Sequence, residues 1–181
     1  MIIGLSGTNS AGKETVANYL QGIGYTVASL PDLLKEEMTK RGITEKQTGI
    51  GEAIKKLELE LGAGFLAREA IARFGDKKNL VILGITKSSE VNYLRTLEGF
   101  KLVFIDAPIE MRYMRAVKKR RDDEAKISYD EFMMKDMEEM SGAKTNGLEF
   151  CKKGADYLLI NDETLEDLIT KVDALIEKAA I

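Results

Sequence analysis

Short apolar runs alternate along the chain with longer stretches in which apolar residues recur every three or four positions. The runs at 2–6, 25–29, 79–84, 101–106 and 156–160 are predicted strands. Most are apolar at consecutive positions, the mark of strands covered on both faces, as in a parallel sheet. Between them the period changes to that of a helix. Val16, Leu20 and Ile23 form one stripe, and Ile50, Ile54, Leu57 and Leu61 a second, entered through Thr44 and Gln47 as a capping box. Gly62 and Gly64 end that stripe before Ala67, Ile71 and Phe74, and a last helix carries Leu165, Leu168, Val172, Leu175 and Ile176 behind a Thr164/Asp167 box. Pro31 and Pro108 each follow a strand where a helix opens. Strand–helix alternation predicts an α/β domain with a five-stranded, mainly parallel sheet and helices on both faces.

One junction carries a phosphate-binding pattern. Gly7-Thr8-Asn9-Ser10-Ala11-Gly12-Lys13 matches G-x-x-x-x-G-K between the first strand and the first helix. Its glycines permit a tight turn whose backbone N–H groups face phosphate oxygens, and the helix N-terminus adds a favourable dipole. Lys13 would bridge the β- and γ-phosphates of ATP. The residue after the lysine, ordinarily a hydroxyl that ligates Mg²⁺, is Glu14. The expectation is that Glu14 points away and water takes the place of the hydroxyl, because Mg²⁺ commonly keeps several waters. Thr15 is then the candidate metal-side residue, acting through a water, and the ATP-binding set runs from Gly7 to Thr15.

Composition narrows the alternatives. The 181 residues suit one domain, and 44% hydrophobic with 31% charged residues is an ordinary globular mix. No apolar run is long enough to cross a bilayer, and MIIGLS has no basic n-region, so no membrane partner and a cytoplasmic location are expected. A net charge of −3 gives no reason to expect nucleic acid. Histidine is absent, so acid–base work falls to other groups. The single cysteine, Cys151, excludes an internal disulfide.

Several segments together resemble archaeal and related P-loop kinases that are similar to dephospho-CoA kinase or to (deoxy)nucleoside monophosphate kinases. They are LPDLLKEEMTKRG, LGAGFLAREAI, SSEVNYLR, VFIDAPIEMRYMR and ADYLLINDETLEDL. The resemblance implies a three-layer P-loop NTPase fold over 1–181, with a helical acceptor-binding region at 31–74 and a lid at about 111–140. GKET is a variant of the GKGT ending of adenylate-kinase-like loops. Carried over position by position, Asp32 orients or deprotonates the acceptor, or serves as a first-turn aspartate favoured by the helix dipole. Lys35 and Arg68 are candidates for acceptor phosphate, Arg68 through its bidentate fork. Arg112, Arg115 and Lys119 share one face of the lid helix, and Arg112 and Arg115 would neutralise charge on the transferring group, while Met111 and Met114 pack inward. Asn161 lies where related kinases line the adenine site, or serves as a turn residue. Asp106 resembles a Walker B carboxylate, but its strand leads into the lid entry APIEMR.

The chain departs from its relatives after the third strand. They carry Asp-Gly-Ile-Arg-Asn, and here LGITKS puts Leu83 and Thr86 in place of the aspartate and arginine, with Lys87 the nearest substitute cation. The resemblance therefore implies ATP- and Mg²⁺-dependent transfer to a (deoxy)nucleoside monophosphate, with dephospho-CoA as the alternative acceptor. Glu14 and LGITKS favour the competing class, an ATP-binding sensor or partner-binding module without catalysis. Oligomeric state is not encoded in any of these features.

Overall fold

In the computed structural model, residues 1–44, 48–119, 127–141 and 147–179 are described. Five strands form one parallel sheet in the order β2-β3-β1-β4-β5, with β1 Ile2–Gly7, β2 Thr26–Ser29, β3 Leu80–Leu83, β4 Phe100–Asp106 and β5 Tyr157–Ile160. Every pairing is parallel, so the sheet goes further than the mainly parallel expectation. The helices are α1 Lys13–Gly22, α2 Leu30–Lys40, α3 Ile50–Leu61, α4 Phe65–Phe74, α5 Ser88–Leu94, α6 Ile109–Lys119, α7 Tyr129–Ser141, α8 Leu148–Lys153 and α9 Leu165–Ala179.

The apolar strands divide their side chains between two cores. Ile3, Leu5, Val81, Val103 and Ile105 pack with α1 and α9. Leu80, Ile82, Leu102 and Phe104 face the other way, onto α2, α4, α5 and α8. The alternation has the strand period of two, and both faces are covered, which is why the sequence shows continuous rather than alternating hydrophobicity. Fully burying each such side chain contributes about 1.5–3 kcal/mol.

Local signals set the helix ends. Ser29 caps α2, its Oγ accepting from Asp32 N at 3.3 Å, with Pro31 in the first turn. Thr164 and Asp167 form the expected reciprocal box before α9, at 3.1 and 3.2 Å. Gln47 lies outside the described residues, and α3 instead opens after Gly49. The α3 stripe is only half core: Leu57 is buried, Ile50 and Leu61 are exposed, and Ala53 takes the remaining interior position. Met114 is also exposed rather than inward, because α6 presents Arg112 to the interior instead. Among the described residues no helix is long and apolar enough to cross a membrane.

Strand order decides where chemistry can occur. The chain runs from β1 outward to β2, back to β3, and then across to β4. The carboxyl ends of β1, β3 and β4 therefore sit side by side, and their loops open a crevice, the ordinary ligand position in such sheets.

Candidate functional site

The loop after β1 closes tightly against the end of β4. Gly7 has φ +143°, and a Cβ there would meet Ile105 O at 2.0 Å. Gly12 has φ +108°, and its Cβ would stand 2.5 Å from Asn161 Nδ2. Ser10 adopts φ 59°, a left-handed conformation uncommon outside glycine. The loop thus needs glycine twice for space and for backbone sign, and it is held by Thr8 N–H donating to Ile105 O at 3.2 Å and Ala11 N–H donating to Thr8 O at 3.3 Å.

Lys13 folds back over this loop. Its Nζ donates to Gly7 O at 2.8 Å and Thr8 O at 2.7 Å. Burial pushes its pKa down to about 8, against the attraction of Glu139 and Glu14. A cavity of ≈ 420 Å³ opens beside it, lined by Asn9, Ser10, Lys13, Thr15, Arg115 and Lys119 among others. Arg115 Nη2 donates to Asn161 O at 3.1 Å and more weakly to Asn161 Oδ1 at 3.4 Å. Its Nη1 is buried and finds no hydrogen-bond partner among the described residues. The guanidinium of Arg115, with Lys13 and Lys119, gives the wall of the loop cavity a cationic lining that suits an anion.

The other candidates take definite positions. Thr15 is exposed on the cavity wall. Glu14 reaches across to Lys119, Nζ to Oε2 2.5 Å, with both side chains mostly exposed. Its carboxylate is thus directed to the end of α6. Asn161 is buried and braces the loop: Nδ2 donates to Ala11 O at 2.8 Å. Arg112 is 4% exposed. It donates from Nε to Ala107 O at 2.8 Å and grips Asp136 of α7 through both Nη atoms at 2.5 and 2.8 Å. Removing one partner of such a buried pair costs about 3–5 kcal/mol.

Asp106 is a structural hub beside the loop. Its Oδ1 accepts from Thr8 Oγ1 at 2.7 Å, and its Oδ2 from Lys152 Nζ at 2.8 Å. Burial works to raise its pKa, but the Lys152 and Thr8 bonds outweigh it and hold the carboxyl below the ordinary aspartate value.

A second cavity, ≈ 220 Å³, lies on the β2–β3 side of the crevice between α2, α3 and α4. Leu34, Met38, Ile54 and Phe65 make most of its wall, and Lys35, Glu58, Lys87 and Glu90 supply charge. Lys87 pairs with Glu58 at 2.7 Å. Lys35 lines the cavity and stands 3.9 Å from the exposed Asp32. Asp32 is not on the wall. Arg68 is not on it either: Nη1 donates to Ala63 O at 2.7 Å and Nη2 to Leu61 O at 2.6 Å, capping the end of α3. It borders a separate groove with Leu33 and Glu37. The structure therefore brings Lys13, Thr15, Arg115 and Lys119 together at the loop and sets Lys35 with Lys87 at the second cavity. Asp32 and Arg68 stand away from both.

Sequence reasoning passed over Glu58, Glu90, Asp136, Glu139 and Lys152. Glu90 had a local signal, its place at the third position of α5. Its Oε2 accepts from Thr86 N at 2.9 Å and Lys87 N at 3.1 Å. Burial raises its pKa from 4.5 to about 7, against those two bonds and the charge of Lys87. The folded protein thus holds a proton on Glu90 between pH 4.5 and about 7 where the unfolded chain does not. This group's contribution to stability is full below pH 4.5 and is lost as pH rises through about 7. Glu90→Gln keeps an acceptor for both N–H groups without the titration. Thermal melting at pH 5, 6, 7 and 8 should show a smaller decline for Glu90→Gln than for wild type across this window, and parallel declines would count against the buried proton.

No protein-family model matches the sequence. The chain is 30% identical over 185 residues to a UPF0200 protein from Pyrococcus abyssi, covering 98% of this chain and 96% of that one. Among solved structures it is similar to TT1252 from Thermus thermophilus, with TM-score 0.66, 25% identity, and 98% and 97% of the two chains covered. It is also similar in fold to a dephospho-CoA kinase from Campylobacter jejuni, with TM-score 0.61, 17% identity, and 98% and 96% covered.

Proposed function

The chain belongs to the UPF0200 family, and we propose that it transfers the γ-phosphoryl group of ATP to a small phosphorylated acceptor, a (deoxy)nucleoside monophosphate in the first instance. Dephospho-CoA is the alternative acceptor. One observation carries the reading: a G-x-x-x-x-G-K loop, tight enough to require Gly7 and Gly12, faces a cavity lined by Lys13, Arg115 and Lys119. The kinase-like fold is its second support.

The donor set fits a nucleotide triphosphate. Lys13 would exchange the carbonyls of Gly7 and Thr8 for phosphate oxygens, and Arg115 on the same cavity wall would turn its guanidinium to them. Thr15 is the residue that would hold Mg²⁺, through a water; the ion would offset phosphate charge during transfer. Glu14 lines the same cavity, with its carboxylate paired to Lys119. In the transfer, the bond from the γ-phosphorus to its bridging oxygen breaks and a bond to the acceptor oxygen forms. The ≈ 220 Å³ cavity between α2, α3 and α4 would seat the acceptor's body. Lys35 on the cavity wall is a cation for its phosphate, and Arg68 would have to release the carbonyls of Leu61 and Ala63 to contribute.

Asp32 lies off the cavity wall and would have to turn toward the acceptor to act on it; its role then separates the two acceptors. A monophosphate attacks with an oxygen that is already anionic, so Asp32 would only orient it. The hydroxyl of dephospho-CoA must lose a proton, and Asp32 would be its acceptor, a contribution of roughly 10²–10⁴-fold. The test is ATP consumption with a panel of nucleoside monophosphates, deoxynucleoside monophosphates and dephospho-CoA, on wild type and Asp32→Asn. A monophosphate substrate with a modest Asp32→Asn effect is expected. Stimulation by dephospho-CoA alone, with a large Asp32→Asn effect, selects the alternative. ATP binding that no acceptor turns into consumption selects the sensor.

A further inference from the structure

The strongest interaction of the lid arginine is with the protein itself. Asp136 takes both Nη atoms of Arg112 in a fork, while Arg112 Nη1 also reaches Asn9 O on the phosphate loop at 3.5 Å. Two carboxylate oxygens on a guanidinium reproduce the geometry with which arginine grips a phosphate. Glu139 stands one turn further along α7, on the face of Asp136 and Phe132. Phe132 is buried and lies under the Arg112 guanidinium, 5.9 Å from ring centroid to Cζ, fixing this face of the helix inward. A cavity of ≈ 350 Å³ separates the two elements, walled by Asn9 and Ser10 of the loop and by Phe132, Lys135, Asp136 and Glu139 of α7. Among the charges around Lys13, Glu139 attracts it most strongly, ahead of its sequence neighbour Glu14.

We propose that the acidic face of α7 is an internal competitor for nucleotide phosphate: Asp136 holds the fork of Arg112 that a phosphate would take, and Glu139 sets a second carboxylate on the cavity that α7 shares with the loop, so ATP binds by displacing α7. This rests on the reading that ATP phosphates lie on the loop. Incoming phosphates meet two carboxylates of like charge, and Arg112 is unavailable to them until Asp136 lets go. The state with α7 docked is thus a low-affinity state, and whatever undocks α7 raises affinity by population shift. A simple closing lid behaves in the opposite sense, since nucleotide would then dock α7 more firmly.

The experiment measures binding of ATP, and of inorganic tripolyphosphate, to wild type, Asp136→Asn and Glu139→Gln, together with amide hydrogen exchange over 129–141 with and without ATP. Asp136→Asn and Glu139→Gln should each bind both probes more tightly, by roughly tenfold for the former. Wild-type α7 should exchange faster when ATP is added. Asp136→Asn leaves Arg112 short of its partner, so thermal melting accompanies it, and Glu139→Gln, which leaves the Arg112–Asp136 pair in place, carries the test if Asp136→Asn is unstable. Equal or weaker binding by both folded variants overturns the competition, as does ATP-induced protection of α7. Absence of binding by all three proteins removes the nucleotide reading itself, whereas equal binding by all three removes only the competition.

Discussion

Lys13→Ala is expected to abolish measurable turnover, or lower it by roughly 10²–10³-fold, and to weaken ATP binding. The ammonium is the only side-chain cation within the loop motif, and it already rests on the carbonyls of Gly7 and Thr8, poised over the turn. The same substitution should leave the free protein intact. Burial depresses the Lys13 pKa to about 8, so the charge is held there at a cost to folding, and its removal relieves that cost. Isothermal titration with Mg²⁺–ATP and thermal melting of the same samples separate the two effects. A Lys13→Ala protein that melts like wild type and binds ATP with unchanged affinity would remove the loop from the proposed function.

Gly7→Ala is expected to be among the most damaging single-methyl changes in the chain, costing about 3 kcal/mol or more of stability. The new Cβ would stand 2.0 Å from Ile105 O, in a ladder where Gly7 is paired with Ile105 and neither strand can retreat. Its φ of +143° adds backbone strain. Gly24→Ala isolates that second effect. Gly24 has φ +98° with nothing within 4 Å of an added Cβ, so about 1 kcal/mol of strain is expected there. Chemical denaturation of both variants measures the difference. Similar losses for the two would show that the approach of β1 to β4 at the loop is looser than the geometry requires.

The acceptor side shows why motif reading reaches only part of a site. Arg68 follows the Gly62–Gly64 break, and its sequence context resembles a phosphate-gripping arginine. In the structure the same break turns the carbonyls of Leu61 and Ala63 toward Arg68, a few residues on, whose guanidinium donates to both. Glu14 was expected to point away and leave its place to water; in the structure it stays on the loop cavity, paired with Lys119. Lys87 was the nearest substitute cation by position, yet the helix opposite supplies Glu58, so the cavity gains a neutralised pair.

Five apolar runs, the change of period between them, the cap at Thr164 and the glycine loop were all determined by the sequence, because each depends on residues within a few positions of one another. Strand period, cap geometry and the glycine φ requirement are local properties of backbone and side chain. The partners of the charged groups were decided only by the tertiary structure. Thr8 meets Asp106 across 98 residues, Asn161 braces Ala11 across 150, and Arg112 finds Asp136 on a different helix. A long charged side chain has many partners of equal merit in the sequence. Which one it meets follows from the strand order β2-β3-β1-β4-β5 and from which helices that order sets beside the loop, since a charge buried at the crevice must be paired by whatever lies within about 3 Å of it.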